Sequence, residues 1–254
     1  MPLKLTPAVK ALLIACFAMF LIQQTADQFM GGNLLGWLGL VPSGFVVEHR
    51  FWQLFTYPFL HGDVMHLFLN LMMLAFMGGE LEATWGTARF LRYYFLCSTA
   101  GGLLYLLLQL VIWKDAGLQQ PMVGASGAIY GLLMAYGLIF GERVLLFMML
   151  FPMKAKHFVW VLAGIEFMTT VFSGRAGLAS AAHLGGMVTG FCFLFFRAAW
   201  VVNRRRQLEK KKIPSKKARK KTANHLKLII DNAKGGAKPG SKGDDPEDRG
   251  NTWH

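Results

Sequence analysis

The chain has 254 residues, 54% of them hydrophobic and only 16% charged, with a mean hydropathy of +0.38. A soluble domain of this length carries about 25% charged residues and few long apolar runs, so composition excludes an ordinary soluble enzyme and points to an integral membrane protein. The net charge of +13 is unevenly placed: residues 203–254 hold 16 Lys and Arg against 6 Asp and Glu, whereas residues 1–202 hold 11 against 8.

Six apolar stretches follow in chain order: residues 8–24, 61–77, 90–113, 126–140, 158–172 and 178–202. Each is read as a membrane-spanning helix, set against the ~20 residues a perpendicular span requires. Lys4 and Lys10 accompany the first stretch as in a secretory leader. No small-x-small cleavage pattern follows, so a retained span is expected. Between the first two stretches, residues 29–60 combine Trp37, Phe51, Trp52 and Tyr57 with Gly31, Gly36, Pro42, Gly44 and Pro58. Irregular backbone does not face lipid, and Trp and Tyr favour the headgroup layer, so a first loop partly embedded at one interface is expected. Residues 144–151 are apolar but too short to cross, and either extend the fourth helix or lie in the interface. The expected fold is therefore all-α: a six-helix membrane bundle over residues 1–202 and a basic tail over 203–254.

Loop charges set the orientation. With six spans the termini share a side, which collects Lys4, Lys10, Arg89, Arg92, Arg143, Lys154, Lys156 and the tail; the other side receives Arg50, Lys114 and Arg175. Both termini are thus expected to be cytoplasmic. Residues 203–221 hold 11 Lys and Arg against Glu209 alone, and Gly, Pro and an acidic patch at 244–248 follow. Such a segment buries no core and is expected to be disordered, apart from a short amphipathic turn at 225–230. Beside a membrane helix it meets anionic lipid first, and the lack of interleaved aromatics argues against nucleic acid. Cys16, Cys97 and Cys192 lie in apolar runs, and their odd number and spacing suggest neither a disulfide framework nor zinc.

A hydroxyl and an imidazole stand out in this apolar setting. Ser126 lies in Gly124-Ala-Ser-Gly127 at the start of the fourth stretch, and His183 in Ala181-Ala-His-Leu-Gly-Gly186 near the start of the sixth. Both starts fall on the extracytoplasmic side, as does that of the second stretch, which carries His66 and Asn70. Four polar groups therefore converge at similar depth. Neutral imidazole takes a hydroxyl proton during nucleophilic attack. Gly127 and Gly131, and Gly186 and Gly190, are spaced by four and allow close helix approach. Tyr130, one turn after Ser126, is placed to pack on the His183 ring. His66 and Asn70 share a helix face and suit an oxyanion, with the Ser126 N–H as a third donor. Plain alternatives stand beside these: serine bonded to its own helix, generic small-residue packing, and interhelical polar contacts worth about 0.6 kcal/mol.

Other chemistries fit less well. His61 and His66 are five apart and lack the intervening glutamate of a zinc protease, so no metal site is expected. The Gly-x-Ser-x-Gly elbow of soluble hydrolases fails because Ala128 holds the last position and no strand precedes it. Glu166, inside the fifth stretch, is read as paired with a polar group, without a chemical role.

Taken in order, these residues resemble the rhomboid family of intramembrane serine proteases over about residues 45–195. The pieces are Trp52-Gln-Leu-Phe-Thr56, His61-Gly-Asp-Val-Met-His66-Leu-Phe-Leu-Asn70, Gly78-Gly-Glu-Leu-Glu82, Gly124-Ala-Ser-Gly127 with Tyr130, and Ala182-His-Leu-Gly-Gly186 with Gly190. The resemblance implies a nucleophile at Ser126, its base at His183, oxyanion-side residues at His66 and Asn70, and an aromatic partner at Tyr130. It further implies a structural acid at Glu82, a dyad without a third acidic member, and no cofactor. The expected activity is cleavage of transmembrane segments of other proteins, in a bacterial inner membrane. A catalytically inactive rhomboid-like binder or chaperone is the alternative, and a transporter a third class. Substrate identity, cleavage site and oligomeric state are not legible.

Overall fold

A computed structural model of the chain describes residues 5–113, 117–147, 151–174, 177–212 and 216–235. It divides into two compact units, Met1–Ala198 and Ala199–His254. Among the described residues four helices are long and apolar enough to cross a membrane: Pro7–Phe29, Val64–Trp85, Thr87–Ile112 and Gly177–Glu209. This is an integral membrane protein of mostly helical build.

Helix α1 (Pro7–Phe29) starts with Pro at its first position, where no N–H is needed. Its N-cap, Thr6, makes no local side-chain cap. The Glu82 carboxylate, 74 residues away in sequence, accepts the N–H groups of Ala8 and Val9 at 3.0 Å instead, together with the Thr6 and Thr87 hydroxyls. A negative group at a helix N-terminus satisfies orphan donors and opposes the macrodipole.

The first loop is an ordered structure of short helices: α2 (Leu34–Leu38), α3 (Pro42–Val46), α4 (Gln53–Thr56) and a 3₁₀ turn at Tyr57–Phe59. Glycine and proline break it into turns, and side chains tie the pieces together, the buried Gln53 among them. Gln53 accepts from the Val41 N–H at 3.1 Å and donates to the Gly36 carbonyl at 3.0 Å. Trp52 donates to the Trp37 carbonyl at 3.0 Å, and Arg50 lies over the Trp37 ring. Trp37, Phe51, Trp52 and Phe55 remain exposed.

Asp63 caps α5 (Val64–Met73) by accepting the His66 N–H at 2.8 Å. The helix runs through a π turn at Leu74–Gly78 into α6 (Gly79–Trp85). Gly86, at φ 80°, turns the chain into α7 (Thr87–Leu108), which continues as a π-helical turn over Gln109–Trp113. An antiparallel bridge joins Leu40 to Met122 (N–H to carbonyl 2.9 and 3.0 Å), tying the first loop to the segment that leads into α8 (Ser126–Ile139).

Helix α8 is apolar on all sides, and all but three of residues 127–139 are buried. A helix hydrophobic all round belongs in a core, and the main cluster forms about it: Val9 of α1, Leu81 of α6, Tyr93 and Cys97 of α7, and Met187 further along. Outward-facing Phe17, Phe68, Leu107 and Phe167 are exposed, as lipid-facing side chains would be.

Residues 144–147 form strand β1 (Val144–Phe147), paired antiparallel with β2 (Phe151–Lys154). This corrects the expectation of a helix extension; residues 148–150 lie outside the described residues. Valine, leucine and phenylalanine here follow a helix end at Phe140 and the turn Gly141–Arg143, and pairing gives the backbone the partners it loses there. Helix α9 (Ala155–Phe172) follows, an apolar helix diluted by Lys156, His157 and Glu166, then α10 (Gly177–Lys212).

In the second unit α11 covers Lys216–Gly235, where composition predicts disorder and only a turn at 225–230. Lys, Ala and Leu are strong helix formers and no proline interrupts the segment. Leu226, Ile229 and Ile230 recur at helical spacing and are exposed. The acidic patch at 244–248 lies outside the described residues.

Candidate active site

Ser126 is the first residue of α8. Gly124, two residues earlier, has φ +110°, a conformation that side chains disfavour. A Cβ there would lie 2.6 Å from His66 Cε1 and 3.8 Å from Asn70 Nδ2. The His66 ring and the Asn70 amide therefore face the backbone that delivers Ser126. Asn70 is buried, and one of its N–H groups donates to the His66 carbonyl at 3.0 Å.

His183, on α10, reaches the same point. Its Nε2 lies 2.7 Å from Ser126 Oγ. The Tyr130 ring stacks on the imidazole, centroids 4.3 Å apart and planes 6° from parallel. A hydroxyl at hydrogen-bond distance from a held imidazole is the arrangement of a nucleophile with its base. The Ser126 N–H opens α8, where the helix leaves its first amides without internal acceptors.

Glycines bring the helices this close. A Cβ on Gly186 would overlap the Gly127 backbone, one on Gly131 would meet Cys97 Sγ at 2.5 Å, and one on Gly101 would come 2.8 Å from the Ala182 carbonyl oxygen. At Gly190 the obstacle is the Tyr93 hydroxyl, which donates to the Gly131 carbonyl at 2.7 Å. Helices α7, α8 and α10 thus meet along glycine faces, and the Ser126–His183 contact lies at one end of the seam. Tyr57 adds a peg from the first loop, donating to the Ser98 carbonyl of α7 at 2.6 Å.

Ser126, His183, His66, Asn70, Tyr130, Gly124, Gly127, Gly186 and Gly190 therefore lie along one set of contacts. His61 is buried beside His66, ring centroids 5.2 Å apart, and neither of its ring nitrogens has a partner among the described residues. Its backbone is held by Gln23 (3.0 and 3.3 Å).

One expectation is corrected. The base does have an acidic neighbour: Glu166 Oε1 of α9 lies 3.1 Å from His183 Nδ1 and accepts the Tyr130 hydroxyl. Sequence reading saw Glu166 but not its partner, because the two are 17 positions apart on different helices. The signal was present: an ionisable residue inside an apolar span is a functional candidate by default.

A family profile for the Rhomboid domain matches residues 48–200. The chain belongs to the rhomboid family. Among curated relatives it is 30% identical over 167 residues to RHOMBOID-like protein 1 of Arabidopsis thaliana, covering 62% of this chain and 38% of that protein. It is 24% identical over 196 residues to the rhomboid protease GlpG of Pectobacterium atrosepticum, covering 76% and 63%. It is 32% identical over 159 residues to RHOMBOID-like protein 2 of Arabidopsis thaliana, covering 59% and 43%. The chain thus spans less than two thirds of the length of each of these three relatives.

Proposed function

We propose that this rhomboid protein is an intramembrane serine endopeptidase that cuts membrane-spanning segments of other proteins. The single observation that carries this is the 2.7 Å contact between Ser126 Oγ and His183 Nε2. Ser126 Oγ attacks the scissile carbonyl carbon while its proton passes to His183 Nε2. The resulting oxyanion is held by the Ser126 N–H, the His66 ring and the free Asn70 N–H. Collapse breaks the C–N bond, and the imidazolium returns its proton to the leaving amine. Water, activated by the same imidazole, then releases the acyl enzyme.

The substrate must present extended backbone, because helical carbonyls are already hydrogen-bonded. Helix-breaking, small residues at the cut follow from this. Water access follows from length. The 14 residues of α8 span about 21 Å, short of the ~30 Å hydrocarbon core. With its far end at the opposite face, Ser126 sits about 10 Å below the near surface, the depth that water has to reach for the acyl enzyme to be released.

The wider assignment is six spans, with α8 and α9 as the two short ones, the first loop partly embedded, and both termini cytoplasmic in a bacterial inner membrane. Residues 1–202 form the protease domain, and the basic tail 203–254 engages anionic lipid.

A fluorophosphonate probe and a reporter membrane segment in detergent test this. Wild type is expected to label and cleave; Ser126→Ala and His183→Ala are expected to do neither. Cleavage by Ser126→Ala would overturn the mechanism, and binding of the reporter without labelling or cleavage by wild type would favour the chaperone reading.

A further inference from the structure

The carboxylate of Glu166 is costly where it stands. It is buried on an apolar helix, and an acidic side chain at the centre of a span costs about 2.5–3.5 kcal/mol by insertion scales. Burial of this kind persists where partners compensate. The partners here belong to the site. Oε1 faces His183 Nδ1 at 3.1 Å, the ring nitrogen opposite the one that meets Ser126. The same oxygen accepts the hydroxyl of Tyr130, whose ring stacks on His183.

We propose that Glu166 is a third, positioning residue of the site, whose negative charge on α9 holds the His183 ring and stabilises the imidazolium formed when Ser126 attacks. This rests on the protease reading above. While Nε2 faces the Ser126 hydroxyl as acceptor, the ring proton is on Nδ1, on the side of the ring that Glu166 flanks. As the Ser126 proton moves to Nε2 the ring becomes a cation, and the carboxylate 3.1 Å away opposes that charge. The proton on Nδ1 stays there throughout; Glu166 neither gains nor loses one. The approach lies outside hydrogen-bonding angles, so the contact acts through charge once the ring is protonated rather than as a directed bond. Among the described residues the other groups at the ring do not supply this charge: Ser126 and Tyr130 of α8 are neutral, and His66 of α5 adds only a second imidazole. The tyrosine completes the device, since its ring fixes the plane of the imidazole and its hydroxyl fixes the carboxylate.

The test is steady-state cleavage and fluorophosphonate labelling by the full chain in detergent, comparing wild type with Glu166→Gln and Glu166→Asp. Gln keeps the shape and the hydrogen bond from Tyr130 but removes the charge; it is expected to lower kcat about 10- to 100-fold, the worth of one contact to a charged group, with KM unchanged and labelling slowed in parallel. Asp keeps the charge, drawn back by one methylene, and is expected to lose only several-fold. A folded Glu166→Gln variant with wild-type kcat overturns the inference and leaves the Ser126/His183 protease standing, as does Asp falling as low as Gln. If Gln does not fold, Asp decides alone: a several-fold loss in kcat at constant KM supports the inference, and full kcat overturns it. Wild type that neither labels nor cleaves rejects the protease reading and this inference with it.

Discussion

Asn70 and His66 make different demands of the same helix face. Asn70 is tied by one N–H to the His66 carbonyl, which leaves its second N–H aimed by the first. Asn70→Ala is expected to lower kcat by about 10²–10³-fold, the cost of removing one oxyanion donor, with KM little changed; steady-state kinetics on the reporter segment measures it. Gly186 sets a separate requirement. Alanine in a helix normally gains about 1 kcal/mol over glycine, but here its Cβ would overlap the Gly127 backbone. Overpacking of that kind typically costs 1–3 kcal/mol and has no flexible side chain to yield. Gly186→Ala is therefore expected to lower the melting temperature and also activity, since His183 is one turn away. Gly164, with nothing near its would-be Cβ, is the control: Gly164→Ala is expected to hold or raise the melting temperature.

At the scale of elements, Glu82 is the anchor of α1. Its carboxylate serves two backbone N–H groups and two threonine hydroxyls. Glu82→Gln keeps one acceptor oxygen and loses the charge, and is expected to cost about 1–3 kcal/mol, read as a fall in melting temperature with probe labelling retained below it. The hairpin β1–β2 carries a pH-sensitive cluster. Hydrogen bonds from Lys154, then Lys156, pull the Glu142 carboxyl down to about 2. A carboxyl lowered on folding contributes above its ordinary range near 4.5 and loses that contribution as pH falls toward 2. All three groups are solvent-exposed to a large degree, so the effect is small and screened by salt. Glu142→Gln is expected to leave activity unchanged at neutral pH and to flatten any acid-limb loss of hairpin protection seen by hydrogen exchange.

For the whole molecule, the charge asymmetry separates a nearly neutral body from a basic tail. A chain ended at residue 202 is expected to keep probe labelling in detergent but to lose salt-sensitive retention on anionic vesicles relative to the full chain. Equal retention would remove lipid from the tail's role. Within the body, the apolar runs and their order were readable because a helix in lipid must be long and apolar. So were the paired glycines, because spacing of four places them on one face. The pairing of residues 144–147 with 151–154 was not, since a short apolar run reads equally as strand or helix. Helix α11 was missed because composition reports the absence of a core, and helix propensity acts without one.

Local chemistry and periodicity, both written in the chain, were enough to set out the membrane class and the candidates for the site: Ser126, His183, His66, Asn70 and Tyr130 each sit in a short motif at a readable depth. Distances between helices are a different kind of information. The 2.7 Å contact of Ser126 with His183, the capping of α1 by Glu82 and the placement of Glu166 beside His183 join residues 17 to 76 positions apart. Only tertiary packing decides such pairings, for Ser126 and His183 along the glycine faces of α7, α8 and α10, because no local rule fixes which face of one helix meets which face of another.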